Sequence, residues 1–334
     1  MKLRNKIKRA LITGAAGFIG SNLADALLQR DYYVIGIDNL SIGSMDNVHN
    51  NLTKSNYDFH KLDITNLNKF KEISKSIDII VHLAALKIPK YGGAKETLIT
   101  NTKGTKNVLE VARLNKAKVI ITSSSDVYGK NSNLPLNEES DLVLGRTNIK
   151  RWSYAASKIF DEHLTFAYQE AYGLQAVILR PFNSYGPRND STWRGGPQSL
   201  FIEAILKNKS IEIHGDGSQT RSFTYISDTI EGIIRAMEQD LAVGEVFNIG
   251  NNLTEISIKD LAYLIKRLSK TNGELKANFI AHKKLFGDYE EIERRVPNIS
   301  KASEILGFKP KVGLEEGLTR TIDWHRKRLS LVSK

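Results

Sequence analysis

RWSYAASK sets Tyr154 and Lys158 four residues apart, on one face of any helix that carries them. A free phenol titrates at about 10 and is a poor base at neutral pH. An ammonium beside it stabilises the phenolate and brings it toward the range of general base catalysis. Ser124, in ITSSSDVYG, sits where a β-branched run ends, and its hydroxyl can hold the oxygen that Tyr154 deprotonates. Such a set takes the proton of an alcohol, so an acceptor for the accompanying hydride belongs nearby.

A cradle for that acceptor stands upstream. TGAAGFIG places Gly14, Gly17 and Gly20 between an apolar run and a helical pattern. Glycines permit a sharp turn and close approach by a pyrophosphate, and the first N–H groups of the helix, around Phe18 and Ile19, point at it. The spacing G-x-x-G-x-x-G departs from the G-x-G-x-x-G of simple dehydrogenases. The next apolar run ends at Asp38, where an acid accepts hydrogen bonds from an adenosine ribose. Asn39 and Leu40 follow it instead of arginines, so a 2′-phosphate is disfavoured and NAD is expected over NADP.

These residues need a sheet to hold them. Strands are expected over 9–14, 33–38, 57–63, 78–84 and 118–124, with helices over 18–30, 66–75 and 94–114 between them. That alternation predicts an α/β fold: a Rossmann doubly wound parallel sheet with helices on both faces. A long helix over about 152–172 carries Tyr154 and Lys158, and a strand over 174–180 follows. Residues 180–198 are crowded with proline and glycine and read as loop. Helices resume near 198–207, 228–239, 257–270 and 313–328, with a strand over 245–250. The expected division is an NAD-binding Rossmann domain of residues 1–180 plus about 222–251. The rest, about 181–221 plus 252–334, forms a smaller, partly interleaved α/β substrate lobe.

Composition closes off other classes. The 334 residues suggest roughly two lobes, and 41% hydrophobic with 25% charged residues is globular. No run approaches the ~18 apolar residues of a membrane span, and the basic N-terminus is too broken by glycine for a signal peptide. A cytoplasmic protein without membrane contact is expected. The absence of Cys excludes disulfides, cysteine nucleophiles and thiolate metal sites. The seven His include no pair within four positions and no H-E-x-x-H, so no metal is expected. No G-x-S-x-G elbow marks a serine hydrolase. A net charge of +11 raises the question of nucleic acid. Much of the excess, however, lies at the ends (Lys2, Arg4, Lys6, Lys8 and Arg9; Arg326, Lys327 and Arg328), without an aromatic-interleaved patch. A solvated surface is the expectation, with no nucleic-acid partner.

TGAAGFIG, Asp38, Asp63, HLAAL (82–86), SSSDVYG (123–129), YAASK (154–158), RPFNSYGPR (180–188), GDGSQTRSF (215–223) and RRVPN (294–298) follow one another in a telling order. On these motifs the chain resembles the extended short-chain dehydrogenase/reductase family, the sugar-nucleotide epimerases and dehydratases, over essentially its whole length. The resemblance implies a tightly held NAD, a nucleoside diphosphate sugar gripped by the C-terminal lobe, and a homodimer. The dimer would bury the Tyr154 helix and its neighbour near 94–114. By position, Asp63 and Ile64 would flank the adenine, and Ala84 and Ala85 would line the cofactor. Asn183 would contact the substrate phosphates, Arg221 and Arg295 would bind pyrophosphate or sugar, and Ser125 would face the substrate. The stretch from Gly195 to Phe201 would close over the nucleotide.

In that family NAD first oxidises C4 of the sugar, and the fate of the 4-keto intermediate defines the enzyme. Dehydratases carry Asp-Glu after the catalytic hydroxyl residue, uronate decarboxylases usually Ser-Glu with an arginine at the place of Arg221, and epimerases small or neutral residues. This chain has Ser125 and Asp126 there, which makes Asp126 a fourth candidate catalytic residue. Epimerisation needs only rotation of the ketone and hydride return. It is therefore the first expectation, with decarboxylation of an NDP-uronic acid second, then 4-dehydrogenation and 4,6-dehydration. An NAD-binding regulatory protein is the non-enzymatic alternative, but it has no use for an intact Ser124, Tyr154 and Lys158.

Overall fold

The computed structural model describes residues 7–87, 93–192 and 195–332. Of the basic N-terminal residues, Lys2, Arg4 and Lys6 lie outside the described residues, as do Trp193 and Arg194 of the glycine- and proline-rich stretch. The first half runs β1 (Arg9–Thr13), α1 (Phe18–Leu28), β2 (Tyr33–Asp38), β3 (Tyr57–Lys61), α2 (Leu67–Ile73), β4 (Ile79–His82), α3 (Ala94–Asn115), β5 (Lys118–Thr122), α4 (Trp152–Tyr172) and β6 (Ala176–Pro181). The second continues with β7 (Ser184–Tyr185), α5 (Pro197–Leu206), β8 (Ile211–His214), β9 (Thr220–Ser222), β10 (Thr224–Tyr225), α6 (Ile226–Glu238) and β11 (Val246–Ile249). It ends with β12 (Glu255–Ser257), α7 (Ile258–Ser269), β13 (Ala277–Ile280), α8 (His282–Phe286), β14 (Arg294–Arg295), α9 (Ser300–Leu306) and α10 (Leu314–Val332).

β4 and β5 are buried along their whole lengths and β1 and β2 at all but their first residues, so the sheet needs helices on both faces. Seven strands pair in parallel in the order β11-β6-β5-β4-β1-β2-β3, the expected Rossmann arrangement. The order reverses between β1 and β4, and the crevice beyond their C-terminal ends is where open α/β sheets hold ligands. The turn into α1 requires glycine: a Cβ at Gly20 would stand 2.1 Å from the Gly14 carbonyl oxygen.

Several boundaries move for local reasons. β3 stops at Lys61, because the Asp63 carboxylate turns back to accept from the Thr65 amide at 2.8 Å. α5 opens with Pro197 in its first turn, which needs no N–H there. α6 starts at Ile226, two residues before the expected 228. β7, β8, β9, β10, β12, β13 and β14 have two to four residues each, too few for a hydrophobic period to register. Yet β9 is central: it pairs with β12 and β14, in a register that sets Arg221 opposite Arg295. Among the described residues no helix is long and apolar enough to cross a membrane.

Candidate active site

A cavity of about 1280 Å³ opens over the C-terminal ends of β1, β4 and β5 and runs on toward α5 and α10. Single small-molecule pockets span about 300–1,000 Å³, so this one has room for two ligands in contact. At one end it is walled by Gly14, Gly17, Phe18, Ile19 and Gly20. Gly17 precedes α1, no side chain caps the helix, and its first turn holds no acid, so its N–H groups are left for an anion. A Cβ on Gly17 would touch only the Gly14 oxygen, at 3.1 Å. That end therefore fits the pyrophosphate of a dinucleotide.

Asp38 lines the same wall, nearly buried, and its two oxygens accept from the amides of Ala16 at 3.0 Å and Leu40 at 2.8 Å. Burial pushes its carboxyl up while those amides pull it back. Asn39 donates to Asp63 at 2.9 Å, and Asn39, Asp63, Ile64, Ala84 and Ala85 all border the cavity.

β5 ends just short of Ser124, and a short 3₁₀ turn lifts Ser125 and Asp126 onto the cavity floor opposite Tyr154 and Lys158 of α4. The Ser124 hydroxyl hydrogen-bonds the Tyr154 phenol and caps the turn, accepting from the Asp126 amide at 3.1 Å. The electrostatics differ from the expectation in one respect. Burial raises the Tyr154 phenol well above its ordinary range and Asp126 raises it further, while Ser124 and Arg295 pull it down. Lys158 is not free to offset this, because its ammonium is paired with the buried carboxylate of Asp161 at 3.2 Å.

Asp126 is held by Arg295, Nη2 to Oδ1 at 2.8 Å, and Arg295 also reaches Ser125 Oγ at 3.4 Å. Burial alone would raise the Asp126 carboxyl. Arg295, Arg151 and Arg221 reverse that and bring it down to about 2, so it is a carboxylate at neutral pH. Arg151, one turn before Tyr154, borders the cavity beside Tyr289 and donates to Glu291 at 3.0 Å. Nothing in its local pattern beyond its place in RWSYAASK marks it as a site residue, and Glu291 lies 140 positions away.

Not every expected residue reaches the cavity. Asn183, Ser125 and Arg295 line it, with the Asn183 amide donating to the Ser222 carbonyl at 3.0 Å. Arg221 stands a layer behind, paired with Glu291 at 3.0 Å; burial pushes its guanidinium down to about 10. Gly195, Gly196 and Gln198 border the cavity, but Phe201 turns into the hydrophobic core because it falls on the buried face of α5. Among the described residues no cluster of His, Asp and Glu is arranged to hold a metal ion.

The chain belongs to the family described as GDP-mannose 4,6 dehydratase, which matches residues 11–321. This is the class of Rossmann-fold, NAD-dependent short-chain dehydrogenases/reductases that modify nucleotide sugars. The chain is 39% identical to a UDP-N-acetyl-α-D-glucosaminuronate decarboxylase of Bacillus cytotoxicus over 96% of its own length and 98% of the relative's. It is 36% identical to UDP-glucuronic acid decarboxylase 1 of Xenopus tropicalis, covering 96% of this chain and 73% of that one. Among solved structures, a UDP-glucuronic acid 4-epimerase from Bacillus cereus, in complex with UDP-glucuronic acid and NAD, aligns with a TM-score of 0.85. That alignment has 33% identity and covers 96% of this chain and 99% of the other.

Proposed function

We propose that this chain decarboxylates a nucleoside diphosphate uronic acid through a 4-keto intermediate, with NAD as its cofactor. The observation that carries the reading is Asp126, ionised and clasped by Arg295, on the same cavity floor as Ser124 and Tyr154. Similarity, over 96% of this chain, to chains named as uronate decarboxylases supports it. Gly14, Gly17, Phe18, Ile19 and Gly20 would hold the cofactor pyrophosphate, and Asp38 its ribose. Asn39, Asp63, Ile64, Ala84 and Ala85 would border the adenine end. Ser125, Asn183 and Arg295 would take the substrate, with Arg221 acting from behind. When bound, NAD supplies a two-electron acceptor at C4 and later returns the pair.

Tyr154 takes the O4 proton while Ser124 holds that oxygen, with Lys158, ion-paired to Asp161, on the same face of α4. The resulting C4 ketone is β to the C6 carboxylate, so the C5–C6 bond breaks with its electrons flowing into the ketone, and carbon dioxide leaves. C5 gains one proton from solvent, by way of a water held by the anionic Asp126. Tyr154 then returns its proton to O4. Arg151 and Arg295 offset the charge of an anionic sugar.

4-Epimerisation of the same kind of substrate is the second reading. It is favoured by the uronate epimerase among the structural neighbours, and it asks no proton of Asp126. Incubation with UDP-glucuronate and UDP-N-acetylglucosaminuronate separates the two. Loss of carbon dioxide in the product mass is expected, and Asp126→Asn should let 4-keto sugar accumulate. A product of unchanged mass, with Asp126→Asn only modestly slower, establishes epimerisation instead.

We further infer a homodimer formed by α3 and α4. These helices pack on each other and leave Leu98, Ile99, Phe160 and Phe166 exposed.

A further inference from the structure

Behind Tyr154 a run of buried polar groups crosses from the sheet to α4. Thr13 Oγ1, at the end of β1, accepts from the amides of Leu83 and Ala84, both at 3.2 Å. Its own proton is then left for His82 Nδ1, 2.8 Å away. Burial, aided by the charge of Lys158, holds His82 down at about 3, so the ring is neutral and carries its proton on Nε2. That tautomer follows by elimination from the partners. Nε2 donates to Thr105 Oγ1 of α3 at 3.1 Å, and Thr105 is a neighbour of the Asp161 carboxylate. Asp161 in turn meets the Lys158 ammonium at 3.2 Å. Thr13, Thr105 and Asp161 have no exposed surface and Lys158 has 2%.

A carboxylate in such surroundings is costly unless paired, and replacing a buried pair with apolar residues is often neutral or stabilising. Stability is thus a poor reason for Asp161. The charges around Tyr154 suggest a better one. Asp126 and Arg295 face the phenol from the cavity side, Lys158 and Asp161 share its helix, Glu162 adjoins Asp161, and His82 on β4 is neutral. Lys158 is the cation that lies on Tyr154's own face of α4, and Asp161 is ion-paired with it at 3.2 Å.

We propose that Asp161 is a positioning residue that fixes the Lys158 ammonium and screens its charge from Tyr154, governing how readily the phenol gives up its proton. The chain through Thr105, His82 and Thr13 links the surroundings of that carboxylate to the strand ends beneath the cavity. The inference rests on the reading of Tyr154 as the base.

The test is a pH titration of phenolate absorbance in the cofactor-free protein, taken as a difference from Tyr154→Phe so that one of the 12 tyrosines is isolated. Asp161→Asn and Asp161→Ser each remove the charge and keep a polar group, and whichever melts cooperatively serves. The Tyr154 midpoint should fall by about 1–3 units, the span an unscreened neighbouring charge produces. The acid limb of kcat/KM against pH should move the same way. A midpoint that stays put or rises overturns the proposal, however much stability the variant has lost. Normal turnover by Tyr154→Phe would remove the base assignment, whereas the titration decides separately whether Asp161 screens Lys158.

Discussion

Tyr154 is half-buried, its phenol is raised by its surroundings, and Ser124 is its hydrogen-bond partner. Tyr154→Phe removes only that oxygen. It should melt like the wild type and retain cofactor, yet lose about 10²–10⁴-fold in kcat, the usual worth of a general base. Steady-state kinetics beside a thermal melt checks both halves. The glycine turn, Asp38 and the Tyr154/Lys158 pair were legible in the sequence because each is a local pattern, spanning a few residues of one turn or helix face. Arg151 was not: its partners Tyr289 and Glu291 arrive from a loop nearly 140 residues on, and a lone arginine announces no such meeting. Arg221 was legible as a charge but not as one held behind the wall, since its depth follows from the pairing of β9 with β14.

At the scale of elements, the buried strands β1, β2, β4, β5 and β6 could be read from composition, because a strand buried on both faces is a nearly continuous apolar, β-branched run. The two- to four-residue strands of the second half could not, as their pairing is decided by partners distant in sequence. The end of β4 offers a measurable consequence. His82 is held near pH 3 in the folded chain by burial first and Lys158 second, against about 6.5 when unfolded. The unfolded chain therefore binds an extra proton between those values, and stability falls as the pH drops below 6.5. Between pH 7.5 and 5 this single group should remove on the order of 2 kcal/mol. Urea melts at the two values should show it, and His82→Asn should lose less stability over the same interval. Equal losses in both proteins would assign the acid sensitivity to other groups.

For the whole molecule, the exposed apolar residues of α3 and α4 set an expectation about assembly. Phe160 is 49% exposed and Phe166 is 40% exposed, both on α4. Light scattering should report a dimer, and Phe160→Lys combined with Phe166→Lys should yield monomers that still fold. A wild-type monomer at micromolar concentration would end that reading. The seventh strand carries a different lesson. β11 lies beside β6 in the main sheet, Val246 opposite Ile178, although β7 through α6 intervene. While the chain emerges from a ribosome, the flank of β6 stays open until residue 249 has been made, and an open strand flank recruits strands from other chains. The vulnerable moment in this protein's life therefore comes during synthesis, and a chain cut short at Pro181 should be collected in the insoluble fraction, although every residue of its glycine turn and its Tyr154 helix is present.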